Sequence, residues 1–159
     1  MLLVFAPMTM MAQKFGHVNA SEVMQALPEF AKARTEIETL QKQYEADLKS
    51  MQDELQKKAE AFDKEQATLP DNIKQRRQQE LEEMYQKIQQ SYQDNQQALA
   101  KAQQEKLSVI QTKVLDAIKS VGETGGYVYI MDIASGIPFI SSTLSKDVTA
   151  EVKAKLGLH

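Results

Sequence analysis

The chain has 159 residues, with 19 lysines and arginines against 22 aspartates and glutamates, and neither cysteine nor tryptophan. The near-even charge argues against a nucleic-acid binder that works by neutralising phosphates, and the missing cysteines remove disulfides, thiol nucleophiles and Cys-ligated metals. With His17 and His159 the only histidines and 19 glutamines along the chain, the composition fits long helix better than a compact enzyme.

Met1 to Ala12 (MLLVFAPMTMMA) is apolar and uncharged, and polar sequence follows at once. As helix it would span about 18 Å, short of a hydrocarbon core of about 30 Å. The length fits the apolar region of a secretory signal cut between Ala12 and Gln13. Two features depart from that pattern: no basic residue precedes the run, and Met10 stands where a small residue is preferred. Residues 1–12 are therefore read as a signal peptide without its basic start, and are set apart from the fold.

Lys14 to Asn19 (KFGHVN) reads as a short strand, and Asn19 or Ser21 offers a cap for a helix over Glu22 to Leu27. Pro28 is expected to kink this helix, because the helical pattern resumes immediately. From Glu29 to Thr68 there is no glycine or proline. Apolar residues fall at Phe30, Ala33, Ile37, Leu40, Tyr44, Leu48, Met51, Leu55, Ala59 and Phe62, one narrow stripe at helical period. Leu40, Met51 and Phe62 repeat every eleven, a spacing that lets a seam run nearly straight. Leu69-Pro70-Asp71-Asn72 breaks the helix. A second run extends from Ile73 to Val121, with its stripe at Ile73, Leu81, Met84, Ile88, Tyr92, Leu99, Ala102, Leu107, Ile110, Val114, Ile118 and Val121, and with Arg77 and Asn95 sitting on it. Two such helices joined by a turn pair antiparallel. Met51 and Met84 are expected in the seam between them; Tyr85 and Tyr92, seven apart on one side of the second helix, could stack or contact a client, with helix pairing the expected role.

Gly122, Gly125 and Gly126 are expected to end the second helix. Tyr127 to Ile133 (YVYIMDI) reads as a strand, Ala134-Ser135-Gly136 as a tight turn, and Ile137 to Ser141 as a returning strand. Asp147 or Thr149 then caps a final helix that Gly157 stops. The chain is thus α+β. A long antiparallel helical hairpin, residues 29–121 with its tip near 69–72, rises from a small β-rich body, residues 13–28 and 122–159. A body of this size buries little apolar surface alone, and the run Tyr127, Val128, Tyr129, Ile130 and Ile133 is apolar on both faces, so oligomerisation is expected to supply the missing burial.

Three pieces, FGHVNASEVMQALPEF, the glutamine-rich charged hairpin, and YVYIMDIASGIPFISSTLSKDVTAEVKAKLG, together resemble the Skp/OmpH family of periplasmic chaperones, over residues 13 to 159. The C-terminal block is the more specific match. The resemblance implies a homotrimer whose strands form a central barrel, with three helical arms around a cavity that holds unfolded outer-membrane proteins without ATP, in the periplasm and with no cofactor. It makes Val18, Tyr127, Val128, Tyr129, Ile130, Ile133 and Phe139 the expected residues of the trimer body.

An arm of this kind suits a chaperone that works by many weak contacts. Residues 29–121 hold 15 basic and 17 acidic side chains, and no phosphate-binding Gly-x-x-x-x-Gly-Lys-Ser/Thr run occurs. Near the tip, Phe62, Leu69 and Ile73 are candidates for apolar client contact, unless they pack across the turn. Lys64, Lys74, Arg76 and Arg77 give a basic bias suited to anionic lipid headgroups. His17 reads as a body or interface residue rather than a ligand. Catalytic and metal-binding residues are not expected, and adjacent carboxylates such as Glu82 and Glu83 point about 100° apart on a helix and do not form an acid/base pair. The alternatives are a structural coiled-coil spacer of the cell envelope and a prefoldin-like cytosolic chaperone.

Overall fold

A computed structural model describes residues 13–158, so the expected signal peptide lies outside the described residues. In chain order the elements are β1 (Lys14–Val18), α1 (Ala20–Ala26), α2 (Pro28–Glu65), α3 (Asp71–Gly125), β2 (Tyr127–Asp132), a 3-10 turn (Ile133–Ser135), β3 (Ser145–Asp147) and α4 (Thr149–Lys155). They form two compact units. One comprises the described residues up to Ala31 together with those from Ser108 onward, and the other is Lys32–Leu107.

The first unit is built on a three-stranded sheet in the order β2-β1-β3, with both outer strands parallel to β1. Phe15 stands opposite Tyr129 on one side and Ser145 on the other. Parallel strands need a long crossover, and the β1–β2 connection supplies it by containing both long helices. Val18 from β1, Val23 and Leu27 from α1 and its end, and Val148 and Val152 around α4 are almost completely buried. Ile110, Val114 and Ala117 of α3 are buried in the same unit. Asn19 is the cap of α1, its side chain accepting the Glu22 N–H at 3.0 Å.

Four local expectations are corrected. Pro28 does not kink one helix: Leu27 is extended at φ −72° and ψ 130°, and Pro28 opens a new helix. The first helical position is where a missing N–H costs nothing and the fixed φ helps. Second, Gly122 does not end α3: the helix runs through it to Gly125, and Gly126 then turns left-handed at φ 65°. Gly125 makes room there, since a Cβ on it would lie 2.4 Å from a ring carbon of Tyr127. Third, Ile137–Ser141 is not a strand; the third strand is Ser145–Asp147, paired with β1. β1 already carries β2 on one side and β3 on the other, and residues 137–141 make no ladder pairing with the sheet. Fourth, the cap residue of α4 by position is Val148, although Asp147 Oδ1 accepts the Thr149 N–H at 2.9 Å.

On α2, every residue of the expected stripe from Phe30 to Phe62 is partly buried, and the residues between them are exposed except Lys58. In the Lys32–Leu107 unit, Lys58 pairs with Glu80 and Glu36 with Lys106, which fixes the antiparallel register of the two helices there. The seam of α3 departs from the expected stripe. Tyr92 and Arg77 are exposed and Leu107 lies at the rim, while Glu80, Ser91, Ala98 and Lys106 are partly buried; Asn95, expected on the stripe, is partly buried as well. Within the Lys32–Leu107 unit the covered positions of α3 repeat every eleven residues, through Ile88 and Leu99 and through Met84, Asn95 and Lys106. This is the spacing of a nearly straight pair of helices, and it takes polar residues into the seam wherever the sequence has them on that period.

Candidate interaction surfaces

The β body leaves large apolar side chains uncovered. Phe139 is 80 % and Leu144 75 % exposed, and Val128, Tyr129, Met131 and Ile133 are also exposed. They sit on β2, on the 3-10 turn and on the segment between that turn and β3. β2 ends the sheet on one side, so it presents an open hydrogen-bonding edge. Of the residues expected in the trimer body, Val128, Tyr129, Ile133 and Phe139 are available for contact, and Tyr127 and Ile130 are partly buried. Val18 is not available: at 1 % exposure it belongs to the core of the single chain. The Tyr129 ring lies against Phe15 with centroids 4.9 Å apart, which holds it upright on the sheet.

At the tip, α2 gives way to a turn at Gln66–Thr68, and the Pro70 carbonyl accepts the Ile73 and Lys74 N–H groups at 3.0 Å to start α3. Phe62, Leu69 and Ile73 are all partly buried, so each offers only part of its surface to a partner. Lys64, Arg76 and Arg77 are exposed. Lys74 lies 3.7 Å from Asp71. The Lys58 ammonium holds the Glu80 carboxyl below its ordinary range, with smaller help from Arg77 and Arg76.

The polar contacts of the body are structural rather than catalytic. His17 Nδ1 lies 2.9 Å from Ser145 Oγ. A serine-activating histidine instead faces its serine through Nε2 and leaves Nδ1–H for the carboxylate. The nearby Asp147 carboxylate takes the Thr149 hydroxyl and N–H, which pulls its pKa down, with a lesser contribution from His17. Among the described residues no cluster of histidines and carboxylates could hold a metal ion, and no helix is long and apolar enough to cross a membrane.

Sequence reasoning missed two features. Leu144, which follows serines and threonines in the sequence, is nearly as exposed as Phe139. Tyr85 and Tyr92, expected between the helices, are 52 % and 54 % exposed. Their exposure follows from the eleven-residue period of the seam, which places them beside the buried line of α3 and off it.

The model of the OmpH-like outer membrane protein family matches residues 14–156, the sheet, the hairpin and α4 together. The chain belongs to this family. Among OmpH-like relatives, the chaperone protein Skp of Yersinia enterocolitica is 26 % identical over 151 residues, spanning 95 % of this chain and 90 % of the relative. Skp of Pectobacterium atrosepticum is 26 % identical over 141 residues, spanning 89 % and 84 %. A crystal structure of an OmpH-like protein from Caulobacter crescentus superposes with a TM-score of 0.79 at 16 % identity, over 98 % of this chain and 90 % of that one. At that identity the likeness shows the α+β fold.

Proposed function

We propose that this protein is a periplasmic chaperone that binds unfolded outer-membrane proteins and keeps them from aggregating, without ATP and without catalysis. The observation that carries the reading is the match to OmpH-like proteins across body and arm alike, reinforced by Skp relatives that share nearly the whole length. Unfolded barrel proteins expose apolar side chains and unpaired strand edges. A solvated arm of mixed charge and a stripe mostly used up in helix pairing bind such chains weakly at each point, and confinement among several arms makes the sum effective.

The active form is a homotrimer assembled through the β body, residues 13–28 and 122–159, with 29–121 as the arm. The uncovered side chains of Val128, Tyr129, Ile133, Phe139 and Leu144 support association, since apolar surface of this kind on a small body marks an interaction site. The chain is exported on residues 1–12 and works as a soluble protein once they are removed. The basic tip contacts anionic lipid transiently, a reading favoured by the exposure of Arg76 and Arg77, which have no ion pair among the described residues.

The test is to dilute a urea-unfolded outer-membrane barrel protein into the purified protein without nucleotide, and to determine the mass of the soluble species by light scattering after chromatography. Three chains plus one client is the expected result. A client-free trimer beside precipitated client would favour a structural spacer, and a monomer would overturn the assembly.

A further inference from the structure

The solvent-facing side of α3 is divided into two unlike faces. Tyr85, Gln89, Tyr92, Gln96, Leu99, Gln103 and Leu107 follow one another at steps of three and four, so they share one face of the helix. None carries a charge. Five of them, the two tyrosines and the three glutamines, are exposed; Leu99 is partly buried and Leu107 is at the rim. Lys87, Asp94, Lys101 and Glu105 lie about half a turn away, on the opposite face. Lys106, the charge nearest the strip, is tied to Glu36. The strip covers about 33 Å, the reach of roughly ten residues of extended chain.

The glutamines of this helix are not all equally free. Gln79, Gln86 and Gln90 each donate to a carboxylate one turn away. Among the described residues, Gln89, Gln96 and Gln103 hydrogen-bond no other group. The strip therefore offers free amide donors and acceptors beside two tyrosine rings, on the side of α3 away from Lys87, Asp94, Lys101 and Glu105.

We infer that the strip from Tyr85 to Leu107 is the client-reading surface of the arm, and that its occupant is an extended segment of unfolded polypeptide. This rests on the chaperone reading above and assigns its contact site to mid-helix rather than to the tip. An unfolded chain presents bare backbone N–H and C=O groups next to apolar side chains. Glutamine can meet both kinds of backbone group, and tyrosine offers an apolar face with a polar end. Without charges, the strip loses no ionic hydration when it is covered and does not discriminate between acidic and basic clients. A second folded copy is a poorer match, because two tyrosines and a rim leucine are too little apolar surface for a stable pair of arms.

The test compares client retention by wild-type protein, Tyr85→Ser/Tyr92→Ser, Gln89→Glu/Gln96→Lys and the opposite-face control Lys87→Gln/Lys101→Gln, with helix content and oligomeric mass checked for each. A photoreactive residue placed at position 92 or at 94 maps contact directly. Both strip variants are expected to release an unfolded barrel protein about fivefold faster or more, with the control within about twofold of wild type. Client cross-links should form at 92 and not at 94. If wild type holds no client, the chaperone reading itself fails. If wild type holds client while both strip variants retain it equally and position 92 captures none, the inference is overturned and the reading stands. Cross-links at 92 between copies of the protein in the absence of client would overturn it too, by giving the strip to arm–arm contact.

Discussion

The Asn19 N–H donates to Thr149 Oγ1 at 3.0 Å, so the residue that caps α1 is tied to the first residue of α4, 130 positions later. The same hydroxyl donates to Asp147 Oδ1 at 2.6 Å. Thr149 is 8 % exposed, so water cannot readily replace either bond. Thr149→Val keeps the shape and removes the hydroxyl, leaving the Asn19 N–H without its partner; a cost of about 1–3 kcal/mol is expected. Thr149→Ser should cost less. Urea unfolding at neutral pH measures both. The acid limb should change as well. The Asp147 carboxyl is held below its ordinary 3.8, first by the Thr149 hydroxyl and then by the Thr149 N–H. A lowered folded value stabilises above about 3.8 and is lost as pH falls through that folded value. Thr149→Val should therefore lose stability less steeply at low pH than wild type. Equal midpoints for Val and wild type would remove the tie from the account.

The helices carry their own acid sensitivity. Glu29, Glu36 and Glu80 all have carboxyls held below 4.5, each chiefly by a hydrogen bond from a lysine on the other helix: Lys113, Lys106 and Lys58. Their contribution is present above 4.5 and disappears as pH falls through the lowered values. Thermal loss of helix signal, followed by circular dichroism from pH 7 to pH 3, should occur at falling temperatures in wild type. Glu29→Gln/Glu36→Gln/Glu80→Gln should start lower at pH 7 and show a flatter dependence. An equally steep triple variant would mean that other carboxylates govern the acid response.

The two helices differ in how far their sequences could be read. On α2 the apolar letters and the seam coincide from Phe30 to Phe62, because large side chains occupy each seam position. On α3 they part. Following apolar letters leads to Tyr92 and Leu107, whereas the buried line runs through Ser91, Asn95, Ala98 and Lys106. Helix geometry, not hydropathy, decides which face is covered once the partner is in place. β3 was illegible for a related reason: Ser145–Asp147 has no strand-like composition and is held by pairing with β1. Ile137–Ser141 looks like a strand by composition and has no pairing within the chain. The tyrosine and glutamine strip was hidden because it depends on knowing where the seam lies.

Phe139 gives the sharpest test of assembly. Its side chain is 80 % exposed and belongs to the composition-favoured strand that finds no pairing in one chain. Burying a phenylalanine of this kind between subunits contributes well over 1 kcal/mol, and a charge in its place would be desolvated without a partner. Phe139→Asp is therefore expected to raise the concentration at which subunits separate by about tenfold or more, as measured by sedimentation velocity. Lys101→Gln, on the charged face of α3, should not. If Phe139→Asp leaves the mass distribution unchanged, the segment after Gly136 is not part of the interface.

At the tip, Lys64, Arg76 and Arg77 are exposed and make no ion pair among the described residues, and the two adjacent arginines give the most direct test of the lipid proposal. Lys74 has Asp71 at 3.7 Å, so part of its charge is answered locally. Arg76 and Arg77 are exposed, and the counter-charge nearest in effect is Glu80, whose carboxyl they help to depress behind the dominant Lys58. Each basic residue near an anionic surface contributes about 1 kcal/mol. Arg76→Gln/Arg77→Gln should then weaken binding to phosphatidylglycerol-containing vesicles by about thirtyfold at low salt, and Lys74→Gln by less. Glu80→Gln should strengthen it, since removing that carboxylate takes the counter-charge from both guanidinium groups and leaves Lys58 with Glu54 alone, at 3.8 Å. All of these differences should shrink as added salt shortens the screening length. Vesicle co-sedimentation across a salt series measures them together, and wild-type binding that is insensitive to both the arginine variant and salt would rule the tip out as a lipid contact.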